Sequence, residues 1–128
     1  MRILLDTHAF LWWVLDDPHL SPAAREIIAD GSTDVLVSAA TAYEVGLKAA
    51  SGRLTIPGSP ETYVSSRISL EGFEPLAIGV PHALRAAVLP PIHRDPFDRL
   101  LVAQAQIEGV PIMTVDPAIA RYDVETIW

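Results

Sequence analysis

The chain has 128 residues, 16 acids against nine bases and a formal net charge of −7, which argues against a surface that tracks DNA phosphates. Half of the residues are apolar and a fifth are charged, the composition of one compact domain (1–128) rather than a disordered chain. The absence of cysteine removes disulfides, thiolate nucleophiles and thiolate metal sites.

The first element is read from Arg2-Ile3-Leu4-Leu5-Asp6-Thr7-His8. Three branched apolar residues without alternation suit a strand buried on both faces, in the middle of a parallel sheet covered by helices. Such a strand has no room for a carboxylate, so Asp6 falls at its carboxyl end, where open α/β sheets bind ligands. The plainer alternative is a turn or cap residue. Met1-Arg2 leads straight into this strand, so no signal peptide is expected. No apolar stretch approaches the roughly 20 residues of a membrane span, and a cytoplasmic location is the expectation. Ala9 to Leu15 then reads as a short helix, ended by Asp16-Asp17-Pro18. Its adjacent Trp12 and Trp13 point about 100° apart, so unequal burial is expected. Either both are core and rim packing, or one forms part of a partner-binding groove.

Ser21-Pro22 caps the next helix and Gly31 closes it. Val35-Leu36-Val37 is a second buried strand, followed by Ser38 and a helix through about Ala50. Glu44 has two readings within it. In one, Thr41-Ala42-Tyr43-Glu44 is a capping box. In the other the helix starts at Ser38, and Glu44 lies nearly two turns in, near the same sheet edge as Asp6. Gly46 costs about 1 kcal/mol in a helix interior relative to Ala, and reads as a close approach of backbone to something.

Ser59-Pro60-Glu61 caps a third helix that ends at Gly72. Phe73 to Ile78 is a strand that Pro75 confines to an edge or to a later start. Pro81 to Leu89 forms a fourth helix, cut off by Pro90-Pro91. In Ile92-His93-Arg94-Asp95-Pro96-Phe97-Asp98-Arg99, Asp95 is a sound N-cap and Asp98 falls in the first turn. There the helix dipole favours a negative charge by a few tenths to about 1 kcal/mol. Gly109 ends this helix. Pro111 to Val115 is another apolar strand that runs, like the first, into an aspartate, Asp116. Val124 to Ile127 closes the chain as a short edge strand. The alternation of strands and helices indicates α/β with a parallel sheet.

The order and spacing of these motifs resemble a PIN-domain nuclease of the VapC toxin type. The resemblance rests on Leu-Leu-Asp-Thr-His at the start, a Glu in the helix after strand two, Asp-Pro-Phe-Asp-Arg-Leu-Leu-Val-Ala-Gln-Ala, and Thr-Val-Asp-Pro. It runs from Ile3 to Trp128. It implies a PIN-like sheet of about five parallel strands between helices, with Asp6, Glu44, Asp98 and Asp116 meeting at the strand ends. Asp98 is the match for the helix-opening aspartate, because Arg-Leu-Leu-Val-Ala-Gln-Ala follows it directly; Asp95 is then the cap. The family reading is a toxin that hydrolyses RNA, held inactive by a VapB-type antitoxin, and a homodimer.

Clustered carboxylates without Cys or a spaced His pair suit Mg²⁺ or Mn²⁺ over zinc. Such ions hold a scissile phosphate and lower the pKa of a bound water. Asp6, Asp98 and Asp116 are expected as ligands, and Glu44 as a ligand or the group that orients the water. Thr114, two residues before Asp116, is a candidate to hydrogen-bond behind the ligands. Lys48, Arg53, Arg94 and Arg99 are candidates to steer RNA phosphates, with solvated surface charge as the plainer reading of each. His8 and His93 lie near the acids in sequence and read first as ordinary hydrogen-bonding residues. Phe10, Trp12 and Trp13 are candidates to contact the antitoxin. Two competing readings are a catalytically silent binding module of the same fold and an aspartate-nucleophile phosphoryl-transfer enzyme. The second wants an acid where His8 stands and a late lysine, whereas the only lysine is Lys48.

Overall fold

A computed structural model describes residues 1–128. The elements in chain order are β1 (Arg2–Leu5), α1 (Thr7–Val14), α2 (Pro22–Ala29), β2 (Asp34–Ser38), α3 (Ala39–Ala50) and α4 (Pro60–Leu70). They continue as β3 (Glu74–Leu76), α5 (Val80–Val88), α6 (Pro96–Glu108), β4 (Ile112–Met113), α7 (Pro117–Ala120) and β5 (Thr126–Ile127). The sheet order is β3-β2-β1-β4-β5 and every pairing is parallel. All carboxyl ends of the strands therefore open on one edge.

The apolar runs do what their lack of alternation predicts. Ile3, Leu4 and Leu5 are fully buried and point alternately to the two faces. Ile3 and Leu5 join Val35, Val37 and Met113 in a core with Phe10, Ala24, Ile28 and Val64 of the helices on that side. Leu4 joins Leu36 and Ile112 in a second core with Ala86, Leu101, Val102 and Ala105. Burying each such aliphatic side chain contributes about 1.5–3 kcal/mol, so the central strands are fixed and their ends are firm supports. No helix is long and apolar enough to cross a membrane.

Pro75 lies on β3, at the sheet edge, and β5 is the other edge, both as expected. Other boundaries move. The first helix begins at Thr7, not Ala9, because Asp6 caps it. Ser38 caps α3 through Ala40 N–H, so the helix starts there and Glu44 is not part of a capping box. A Cβ built on Gly46 meets nothing within 4 Å, so no backbone approaches it closely. The one-turn helix α7 is too short to leave a periodic signal in the sequence.

Candidate metal centre and its cleft

Asp6 leaves the end of β1 with its backbone N–H tied to Met113 O at 3.1 Å and its side chain accepting from Ala9 N–H at 2.8 Å. It is buried, and burial raises its pKa. Hydrogen bonds from the Thr114 hydroxyl and Ala9 N–H, with the nearby His8, offset part of that rise, while Asp116 adds to it. Thr114, also buried, in turn accepts from Asp116 N–H at 3.0 Å. Its hydroxyl thus connects two of the four acids. Asp116 caps α7 through Ala118 N–H at 2.8 Å.

Asp98 comes from the first turn of α6. Asp95 is the cap of that helix, accepting from Phe97 N–H at 2.8 Å and Asp98 N–H at 3.4 Å. Helix α6 is keyed to the sheet by the fully buried Gln104, which accepts from Ser38 Oγ at 2.5 Å and donates to Ala77 O at 3.2 Å. The Asp98 carboxyl is pushed up to about 7, first by burial and then by the charges of Asp95, Glu44 and Asp6, with His93 opposing. Asp6 and Glu44 stand close enough for their charges to raise the Asp98 carboxyl, but outside the group of His93, Asp98 and Asp116, whose atoms lie within 4.8 Å of one another. Glu44 is buried and paired with Lys48 Nζ at 3.1 Å.

His93, which the sequence offered first as an ordinary hydrogen-bonding residue, stands among the acids. Its Nε2 lies 3.0 Å from both Asp98 Oδ2 and Asp116 Oδ2. Its Nδ1 accepts Asp95 N–H at 3.2 Å, so in the neutral ring the proton is on Nε2, which donates toward the two carboxylates. One atom from each of His93, Asp98 and Asp116 falls within 4.8 Å of the others. With its lone pair turned away, His93 leaves the ligand set to carboxylate oxygens, the donors that Mg²⁺ and Mn²⁺ take. The residues present therefore fit a hard divalent cation. His8 is exposed and packs on Trp12, not on the acids.

The loop that carries His93 is held from beneath. Arg99 donates to Ala86 O, Leu89 O, Pro90 O, His93 O and the Tyr122 hydroxyl. Tyr122 accepts His93 N–H at 2.9 Å and donates to Pro90 O at 2.8 Å. The guanidinium of Arg99 is committed to this staple, so it is not a free cation for phosphates. Lys48, Arg53 and Arg94 are brought together instead, lining one open cleft of about 600 Å³ with Glu44, Asp95 and Phe97.

Around α1 the expectation needs a correction. Phe10 is fully buried in the core and offers nothing to a partner, because it lies on the inward stripe Thr7-Phe10-Leu11. Trp12 and Trp13 are both half-buried, so burial does not single out an outer one. Trp12 contacts the rings of His8, His19 and Trp128, and Trp13 that of Phe73.

The PIN domain family model matches residues 3–125. The chain is a PIN-domain protein. Solved structures of similar fold cover nearly all of it. A VapBC2 structure from Rickettsia felis, bound to a DNA fragment from its promoter, has a TM-score of 0.71 at 14% identity, covering 99% of this chain and 98% of that one. A toxin–antitoxin complex from Klebsiella pneumoniae gives 0.67 at 16% identity, with 98% and 96% covered. FitAcB from Neisseria gonorrhoeae gives 0.60 at 22% identity, again with 98% and 96% covered. No curated protein sequence matches. At these identities the likeness speaks for the fold, so the chemistry of this PIN domain rests on its own side chains.

Proposed function

We propose that this PIN-domain protein is the toxin of a cytoplasmic VapBC-type toxin–antitoxin pair, and an endoribonuclease dependent on Mg²⁺ or Mn²⁺. The observation that carries the reading is the meeting of Asp98 and Asp116 with His93 within 4.8 Å, beside Asp6 and Glu44, whose charges help to push the Asp98 carboxyl up to about 7. Like charges gathered in a small, partly dry site are strained until a cation joins them. Asp6, Asp98 and Asp116 would hold the cation, with Glu44 as a further ligand or the group that orients the attacking water. Bound there, a divalent cation supplies charge neutralisation at the scissile phosphate and a lowered pKa for that water. The Thr114 hydroxyl and the His93 Nε2–H fix the carboxylates behind and beside it, as outer partners of metal sites do. Lys48, Arg53 and Arg94 draw the RNA phosphates to the cleft.

The toxin–antitoxin complex among the structures of similar fold supports an antitoxin partner, and the acidic site is where we propose that it binds. An arginine suits the site best, since its planar fork can bridge two carboxylates, and Trp12 and Trp13, both half-buried on α1, are the aromatic contacts proposed beside it. We also propose a homodimer. Val80, Leu84 and Val88 form a stripe on α5 that is 73, 65 and 78% exposed, on a helix without a single acid.

Incubation of the chain with a panel of structured and unstructured RNAs, with Mn²⁺, Mg²⁺ or EDTA, tests the reading. Cleavage with metal that stops in EDTA and in Asp98→Asn is the expected result. RNA binding without cleavage under any metal makes the chain a binding module, and a phosphorylated aspartate makes it a phosphoryl-transfer enzyme. For the partner, excess Mn²⁺ and Trp12→Ala are each expected to weaken inhibition by the antitoxin. Inhibition indifferent to both moves the partner to another surface.

A further inference from the structure

Tyr122 is buried, and its hydroxyl is used to capacity, with one proton given and two accepted. It accepts His93 N–H at 2.9 Å and Arg99 Nη1–H at 3.3 Å, and it donates to Pro90 O at 2.8 Å. A buried tyrosine with partners for its hydroxyl is ordinary. The origin of these partners is not. The hydroxyl joins three stretches outside the sheet: the loop from Pro90 to His93, the first turn of α6 through Arg99, and the segment after α7 that carries Tyr122 itself. The same three stretches supply the group of His93, Asp98 and Asp116. His93 comes from the loop, and Asp98 precedes Arg99 on α6. Asp116 caps α7, and Ile119 O of that helix accepts Tyr122 N–H at 3.1 Å. Ile119 is fully buried in one core with Tyr122, so the hydroxyl stands on a fixed post.

We infer that Tyr122 is a positioning residue of the acidic site, whose hydroxyl sets the loop so that His93 presents Nε2–H to Asp98 and Asp116 together. The loop has no regular structure, so nothing but such bonds fixes the backbone beneath the ring. With the His93 backbone held and Nδ1 accepting Asp95 N–H, Nε2 has one place to point, 3.0 Å from an oxygen of each carboxylate. The consequence for a cation rests on the metal-dependent nuclease reading. Without the hydroxyl the two carboxylates lose their common donor, and a divalent cation meets ligands that are no longer arranged. The competing account is a hydroxyl that serves stability alone, which lowers melting and leaves the folded site unchanged. Arg99 has four carbonyl acceptors besides the hydroxyl, those of Ala86, Leu89, Pro90 and His93, so Tyr122→Phe is expected to fold with the loop still attached.

Two measurements on Tyr122→Phe test this, one without metal and one with it. In EDTA at pH 8, NMR of the chain with nitrogen-labelled histidines reads the His93 ring, assigned by its absence from His93→Ala. Wild type is expected to show one tautomer with a slowly exchanging Nε2–H, and Tyr122→Phe to show both tautomers and a rapidly exchanging proton. Calorimetry with Mn²⁺ is expected to give about a tenfold loss of affinity in Tyr122→Phe. No further loss is expected when Tyr122→Phe is added to His93→Ala, because the hydroxyl acts through that ring. A merely structural role gives no such cancellation. If Tyr122→Phe does not fold, Tyr122→para-aminophenylalanine keeps the ring, its size and a donor for Pro90 O, but accepts poorly, and is expected to give the same spectra. Unchanged spectra and affinity in the variant that folds, or losses that multiply in the double variant, overturn the inference. If RNA is cleaved with metal while the hydroxyl is indifferent, only the positioning role fails. If the spectra change as expected and wild type binds no Mn²⁺ or cleaves nothing, only the nuclease reading fails.

Discussion

Three helix N-termini face the acidic site, and two of them, those of α1 and α6, divide the same work differently. At the β1–α1 junction one residue, Asp6, is both the cap of the helix and a member of the acid cluster. At the start of α6 the tasks are split. Asp95 caps, and Asp98, three residues on, faces His93 and Asp116. The electrostatics follow from that division. Asp6 has two hydrogen bonds to offset its burial, whereas Asp98 is opposed only by His93 and its carboxyl rises to about 7. Burial raises both carboxyls, and different neighbours oppose the rise: Ala9 N–H and Thr114 at Asp6, His93 at Asp98.

The largest effect expected from breaking this contrast is at Asp98. Asp98→Asn is expected to reduce metal-dependent cleavage more than about 100-fold, beyond what loss of an outer partner of a metal site costs. Its effect on the metal-free fold has the opposite sign. Asp98 ionises near pH 4 in the unfolded chain and near 7 in the folded one. Between those values the unfolded state holds fewer protons, so stability falls as pH rises through the window and levels off above it. Asp98→Asn abolishes that fall. Melts in EDTA are expected to coincide with wild type at pH 4 and to show the variant more stable at pH 8. The gain is about 1–3 kcal/mol, after allowing for the water that reaches this carboxyl. A variant less stable at pH 8 would make Asp98 a structural residue.

At Asp6 the two roles can be parted only by choosing the substitution. Asn keeps an oxygen for Ala9 N–H and Ala does not. Both variants are expected to lose cleavage, but Asp6→Asn to melt, without metal, no lower than wild type. Asp6→Ala is expected to lose about 0.5–2 kcal/mol with the cap. Equal melting of the two variants would show that the cap bond contributes nothing.

The difference between these junctions also marks how far the sequence reaches. Asp6 and Asp116 were legible because a carboxylate ending an unbroken apolar run has few places to go, and Asp95 because Pro96 follows it. The place of Glu44 depended on which residue starts α3, and two starts were compatible with local pattern; only the Ser38 side chain, bound to both Ala40 N–H and Gln104, decides between them. The roles of His93 and Arg99 were not legible: the sequence offered the first as an ordinary hydrogen-bonding residue and the second as a cation for phosphates. Their positions are set by Tyr122, some 29 and 23 residues away, whose hydroxyl closes a loop with no periodicity of its own. Phe10 was misplaced for a related reason. The inward stripe of α1 begins at Thr7, and a helix read from Ala9 loses the residue that shows which way Phe10 faces.

His93 sharpens the comparison further, since it is what Asp98 has in place of a backbone N–H. Gln can present an amide N–H near the position of Nε2, and Ala cannot. His93→Ala is expected to weaken Mn²⁺ binding about 10- to 100-fold, the usual effect of removing a group that orients metal ligands, and His93→Gln to recover part of it. Calorimetric titration of Mn²⁺ into each variant reads this directly. Tighter binding in His93→Ala would mean that the ring competes with the cation instead of arranging its ligands.

The smallest effect is expected at Asp95, where the cap and the charge act in opposite directions. Its side chain bonds Phe97 N–H and Asp98 N–H, and its charge is the second cause of the raised Asp98 pKa. Asp95→Ala removes both. The lost cap costs about 0.5–2 kcal/mol, and the lost repulsion returns part of that at neutral pH, where Asp98 is ionising. Asp95→Asn keeps an oxygen for the helix and removes only the charge, so without metal it is expected to be at least as stable as wild type at pH 8. At pH 4, where Asp98 is protonated in the fold, its advantage shrinks and the deficit of Asp95→Ala shows most fully. The bond that sets the His93 tautomer comes from the backbone of Asp95 and survives in both variants, so each is expected to keep measurable cleavage. Thermal melts of the pair at the two pH values, beside an RNA cleavage assay, check the assignment. If Asp95→Asn loses cleavage while Asp98→Asn keeps it, cap and ligand have been exchanged.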